Sequence, residues 1–118
     1  MVIKKFILIL AFFIPAISVL SQDFSLSELL KINNYSIDDF DTYVTQKGYK
    51  YFENNDEDFG NSTSYTFYVD NIKTAYISKF HYKKTSKEMV SFQTGNSSTY
   101  ISIKTDLKNL GFRFIGVR

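Results

Sequence analysis

The 118-residue chain contains no cysteine, no tryptophan, one proline and five glycines. Without cysteine there is no disulfide, so a domain built from it is held by its core alone. A lipidated bacterial anchor, which needs a cysteine just after the leader, is excluded. Five glycines are too few for a glycine-rich phosphate cradle, and no nucleophile elbow, phosphate loop or zinc motif occurs. A strong charge of one sign is also missing. The formal net charge is +2. Lys4 and Lys5 account for that excess, and from Gln22 onward 12 basic residues meet 12 acidic ones. Nucleic-acid binding, which rests on a basic excess, is therefore not expected.

What is present begins with a leader. Met1 to Lys5 carries two lysines and no acid, and Phe6 to Leu20 is apolar apart from Pro15 and Ser18. Val19-Leu20-Ser21 then places small residues two apart before Gln22, with Ala16-Ile17-Ser18 as a second such site. This is the layout of a secretory signal peptide. An uncleaved anchor is the alternative, but the apolar run of about 15 residues falls short of the roughly 20 that a spanning helix needs. The expectation is a signal peptide over 1–21 and one small domain over 22–118, secreted or periplasmic, with no membrane contact after cleavage.

Two helix starts come next. Ser25-Leu-Ser-Glu28 is a capping-box pattern, with Leu26, Leu29 and Leu30 on one face. Ser36-Ile-Asp-Asp39 opens a second helix with acids in its positive first turn. Ile37, Phe40 and Val44 recur at helical spacing, and Gly48 ends the run. Strands are expected at 49–53, 63–69, 73–82 and 88–94. Asp70-Asn71 reads as a tight hairpin turn, KKTSK at 83–87 as a basic turn, and 54–62 as a polar acidic connection. Tyr100, Ile103, Leu107 and Leu110 mark a third helix ended by Gly111, before a last strand over 112–117. The order ααββββαβ predicts an α+β fold: an antiparallel sheet of about five strands with two to three helices on one side.

Two stretches share one grammar. Ser36 to Phe52 and Thr99 to Ile115 each read helix, glycine, strand. With Gly48 laid on Gly111, Phe40 falls on Ile103, Val44 on Leu107, Tyr49 on Phe112 and Tyr51 on Phe114. Either the last strand completes one sheet, or the chain is a shortened two-unit form, or two generic units match by chance.

The leader ending in LSQ, the helix SLSELLKINN and the phrase SIDDFDTYVTQKGYKYF resemble small uncharacterised exported proteins of Bacteroidota. The order of two helices and then a sheet also resembles the domain of BamE-type outer-membrane assembly lipoproteins and of β-lactamase-inhibitor proteins. That likeness implies a fold only. The lipidated cysteine of the former and the stapling disulfides of the latter have no counterpart here, so no functional residue transfers.

Nine tyrosines and 12 phenylalanines dominate the composition. They suit half-buried strands, and they also suit a binding face, because tyrosine offers area and a polar tip at low entropic cost. The candidate binding residues are Tyr65, Phe67, Tyr76 and Tyr82 on one sheet face. His81 is the only histidine. A hydrolase or lyase would pair it with Glu88 or Asp70 as its orienting acid. The acidic loop 53–58 offers a weak calcium candidate at Asp56 and Asp58, although the EF-hand pattern fails: Phe59 stands where glycine is needed. The same loop could serve a protein inhibitor or immunity factor. Lys79, Lys83, Lys84 and Lys87 form the one basic cluster, able to steer a partner. The leading expectation is a non-catalytic exported interaction domain, with no cofactor, that binds a protein or cell-envelope component. The alternatives are the His81 enzyme and the acidic-loop inhibitor.

Overall fold

The computed structural model describes residues 8–12 and 23–112. Its elements in chain order are β1 (Leu8–Phe12), α1 (Leu26–Asn33), α2 (Ile37–Gln46), β2 (Lys50–Glu57), β3 (Gly60–Val69), β4 (Ile72–Tyr82), β5 (Glu88–Thr94) and α3 (Ser97–Asn109). The fold is α+β, as expected, with five strands in the order β1-β5-β4-β3-β2. The three hairpin-linked pairs are antiparallel, and β1 runs parallel to β5, so the sheet is mixed.

The helix starts obey the capping logic. Ser25 Oγ accepts from Glu28 N, and Glu28 Oε1 accepts from Ser25 N, closing the capping box. Ser36 and Asn96 cap α2 and α3 in the same way. Both helix-ending glycines adopt positive φ, +95° at Gly48 and +89° at Gly111. The amide after each reaches back five residues, Tyr49 to the Val44 carbonyl and Phe112 to the Leu107 carbonyl. The half-repeat is thus matched in backbone geometry up to residue 112.

Asp70 and Asn71 both take positive φ, as a tight turn between β3 and β4 requires. Two expectations need correction. The stretch 54–62 is not a loop: β2 runs on to Glu57 and β3 starts at Gly60, leaving a turn of Asp58-Phe59. Asn, Asp and Glu disfavour strands by propensity, and pairing with β3 overrides this. The order ααββββαβ also gains a strand at its start, inside the apolar run assigned to the leader. The expected strand over 112–117 lies, beyond Phe112, outside the described residues, as do residues 13–22 with the cleavage sites.

All three helices contribute to a single core on one sheet face, where Leu29, Ile32, Phe40, Val44 and Ile103 meet Tyr65, Ile77, Val90 and Phe92. Phe24 sits at its centre, with ring centroids 5.2 Å from Tyr49, 5.5 Å from Phe92 and 6.3 Å from Tyr43. Polar ties fix the layers. Glu28 Oε2 accepts from Tyr43 Oη at 2.5 Å and from Lys47 Nζ at 2.7 Å, joining α1 to α2. Tyr65 Oη donates to Asp41 Oδ1 at 2.7 Å, joining the sheet to α2. Asp23 accepts from Thr94 and Thr99, fastening the start of the domain to β5 and α3. Among the described residues no helix is long and apolar enough to cross a membrane.

Candidate functional site

Alternation along the strands gives the sheet two unlike faces. On the helix face the cross-strand pairs Tyr51–Tyr65–Ile77–Phe92 form an apolar row. Further along, toward the end of α1 and the start of α2, the same face turns polar. One row holds Asn54, Thr63 and Lys79; the next holds Asp56, Asn61, His81 and Glu88. With Ile37 at the start of α2, these side chains line a half-open groove of about 470 Å³.

His81 Nδ1 lies 3.4 Å from Glu88 Oε1, close enough to pair when the imidazole is protonated. Of the two acids considered, Glu88 is thus the one beside His81; Asp70 is at the far turn of the β3–β4 hairpin. Lys79 is buried, 4% exposed, and its Nζ donates at 2.8 Å to the carbonyl of Asn33, the last residue of α1. A cation there meets the negative end of the helix dipole. The amine also lies over the Phe40 ring and 3.8 Å from Glu88 Oε2, an oxygen buried without a hydrogen-bond partner. Burial pushes the Lys79 amine below the usual lysine range, and Glu88 opposes that shift. The basic cluster is therefore broken up: Lys79 is internal, Lys83 pairs with Asp56 at 2.8 Å, and Lys84 and Lys87 are exposed. Sequence reasoning placed Lys79 among surface lysines. Its position two residues beyond the buried Ile77 is the signal that it shares the inner face.

The four aromatic candidates do not share a face. Tyr65, 1% exposed, and Phe67 lie under the helices with Tyr49 and Phe40. Tyr76 and Tyr82 lie on the opposite face. A bulge between Phe67 and Tyr68 and another in β2 shift the alternation that the sequence pattern assumed. That opposite face carries no helix. Its middle is a run of small polar residues, Ser62, Ser64, Thr66, Ser78 and Ser91, and the Ser64 and Ser78 hydroxyls are hydrogen-bonded at 2.8 Å. Around it stand Phe52 and Tyr68, about half exposed, with Tyr76, Phe80 and Tyr82 partly exposed. Phe52 packs edge-on against Tyr76, and the Lys73 ammonium sits 4.6 Å from the Tyr76 ring centroid.

Asp56 and Asp58 stand at the tip of the β2–β3 hairpin. Among the described residues no group of three or more His or acidic side chains is gathered closely enough for a metal ion. Asp58 stands in the turn after β2, and Asp56 is already paired with Lys83. Compared with family models, with curated proteins and with solved structures, the chain shows no match.

Proposed function

We propose that the chain is an exported, non-catalytic interaction domain, periplasmic or secreted, that binds a protein through the helix-free face of its sheet. The observation that carries this reading is the composition of that face. Phe52, Tyr68, Tyr76 and Tyr82 stand half or partly exposed around a middle of buried serine and threonine side chains. Rigid aromatic anchors suit a protein surface, because they give contact area at low entropic cost. Two of the four residues expected at the binding surface, Tyr76 and Tyr82, belong to it; Tyr65 and Phe67 serve the core. The export half of the reading rests on the sequence layout of residues 1–21.

The test is affinity capture from an envelope extract of the source cells, comparing the native protein with three variants. A variant with Phe52→Ser, Tyr76→Ser and Tyr82→Ser alters the open face. A variant with His81→Ala alters the groove, and one with Asp56→Ala and Asp58→Ala alters the hairpin tip. A protein retained by the native, groove and tip forms but lost by the face variant supports the reading. Loss confined to the tip variant would favour an inhibitor or immunity factor instead.

One observation favours a second reading. His81 and Glu88 share a groove with a buried lysine, the minimum of an acid–base pair. Lys79, however, is committed to the Asn33 carbonyl. We expect no turnover of model esters, peptides or glycosides that disappears on His81→Ala; such turnover would move the protein to the hydrolases or lyases.

A further inference from the structure

We propose that the outer edge of β5 is the seat of the chain's own C-terminal segment, residues 113–117, and that Leu8–Phe12 holds that seat only in the precursor. The proposal rests on the cleavage half of the reading above. If residues 1–21 are removed, β1 goes with them. β5 then loses its outer neighbour, and Val90 and Phe92, both fully buried, lose the cover that Leu8 and Leu10 give to the core. A bare apolar edge of this kind invites pairing with another strand.

The path of the chain supplies one. β5 passes through Gly95 and the cap residue Asn96 into α3, which packs against β5, β1 and α1. The 13 residues of α3 span about 20 Å, and the seven of β5 about 23 Å. A helix of that length, packed on β5, is long enough to carry the chain back along the whole strand. A segment that left α3 and paired with that edge in parallel would make a strand–helix–strand crossover, a unit whose usual hand is right. β1 stands in that position now.

The exit from α3 is also built for a strand. Gly48 and Gly111 share one backbone geometry, and after Gly48 the chain enters the edge strand β2 within two residues. After Gly111 the sequence reads Phe-Arg-Phe-Ile-Gly-Val. Leu110 is 61% exposed and Phe112 37%, so apolar surface stands at the end of α3. Setting Phe112 opposite Glu88 puts Phe114 opposite Val90, in the place of Leu8, and Ile115 opposite Ser91 on the helix-free face.

The absence of native cysteine makes the test clean. The full chain is exported from a bacterial host under its own leader, and its mass is measured to establish removal of residues 1–21. Amide hydrogen exchange is then read over 88–94 and 113–117 in the processed protein and in a variant that stops after Phe112. In parallel, Ser91→Cys is combined with Ile115→Cys and oxidised. We expect a processed mass and an intramolecular cross-link. We also expect β5 amides that exchange about tenfold or more faster in the shortened variant while β3 and β4 stay protected. A mass that retains residues 1–21 would end the export reading and this proposal together. A processed chain whose β5 edge exchanges freely would end this proposal alone. So would an edge protected only at high protein concentration or on addition of extract, where a second copy or another protein has taken the seat.

Discussion

Glu28 caps its own helix and holds α2 as well, which makes one carboxylate a pH-sensitive fastener. Burial alone would raise its pKa, but the hydrogen bonds from Lys47 and Tyr43 outweigh burial and lower it to about 2. The same contact, with burial, raises the Tyr43 hydroxyl to about 12. A carboxyl whose folded pKa lies below its unfolded value near 4.5 contributes stability above that value. The contribution fades as pH falls toward 2. Discounted for solvent at a partly exposed group, it is on the order of 1 kcal/mol. Denaturant midpoints between about pH 6 and pH 2.5 should therefore fall less steeply for Glu28→Gln than for the native chain. Tyr49 makes the opposite case. It is 1% exposed, and its hydroxyl is buried without a hydrogen-bond partner. Removing a buried, unsatisfied polar group costs little, so Tyr49→Phe should match native stability or exceed it by about 1 kcal/mol in chemical denaturation. Neither role was visible in the sequence. The Ser25–Glu28 spacing announced the capping box, but the other oxygen of Glu28 meets residues 15 and 19 positions away.

At the scale of elements, local rules read well and pairing rules did not. The Ser25 and Ser36 caps, the glycine stops and the Asp70-Asn71 turn depend on residues within a few positions of one another, and each lies where its residue types predict. The stretch 54–62 failed because its strand character comes from β3 and β4 and not from its own side chains. Gly60 shows how close that pairing is. A Cβ there would collide with the carbonyl oxygen of His81 on β4, a backbone atom that cannot step aside. Gly60→Ala should therefore destabilise the fold by about 2 kcal/mol or more, by the cost of forcing atoms into a packed site. Because Gly60 faces Tyr82, with Asn61 and His81 next in register, the change should also disturb the groove. Amide signals of His81 and Glu88 in NMR would move more than those of β5 residues near Thr94. Small shifts confined to residue 60 would contradict a tight β3–β4 contact.

For the whole molecule, Phe24 is the clearest point of failure. It joins the segment before α1 to α2, to the start of β2 and to β5 through three ring contacts, with the Lys47 ammonium 4.6 Å from its ring centroid. Truncating a buried phenylalanine costs about 3–5 kcal/mol. A domain of this size without disulfides has a total stability of about 5–10 kcal/mol. Phe24→Ala should therefore lower the denaturant midpoint by about a third or more and bring the chain close to unfolding at about 37 °C. The helix-free face bears on stability far less. Phe52→Ser should shift the midpoint by under about 1 kcal/mol, and a larger loss would mean that this face is covered.

The sequence by itself determined where helices begin and end, where two of the three hairpins turn, and that the fold is α+β, because caps, glycine stops and alternation act over a few residues. It also named His81 as a candidate with either Glu88 or Asp70 beside it, and left the choice between the two acids open. Only the tertiary structure decided that Lys79 is internal, that Tyr65 and Tyr76 lie on opposite sides of the sheet, and that Leu8–Phe12 lines up beside β5. Those outcomes turn on strand register, and a single bulge is enough to send a side chain from the core to the solvent. Register is fixed by contacts between residues far apart in the chain, which no local pattern encodes.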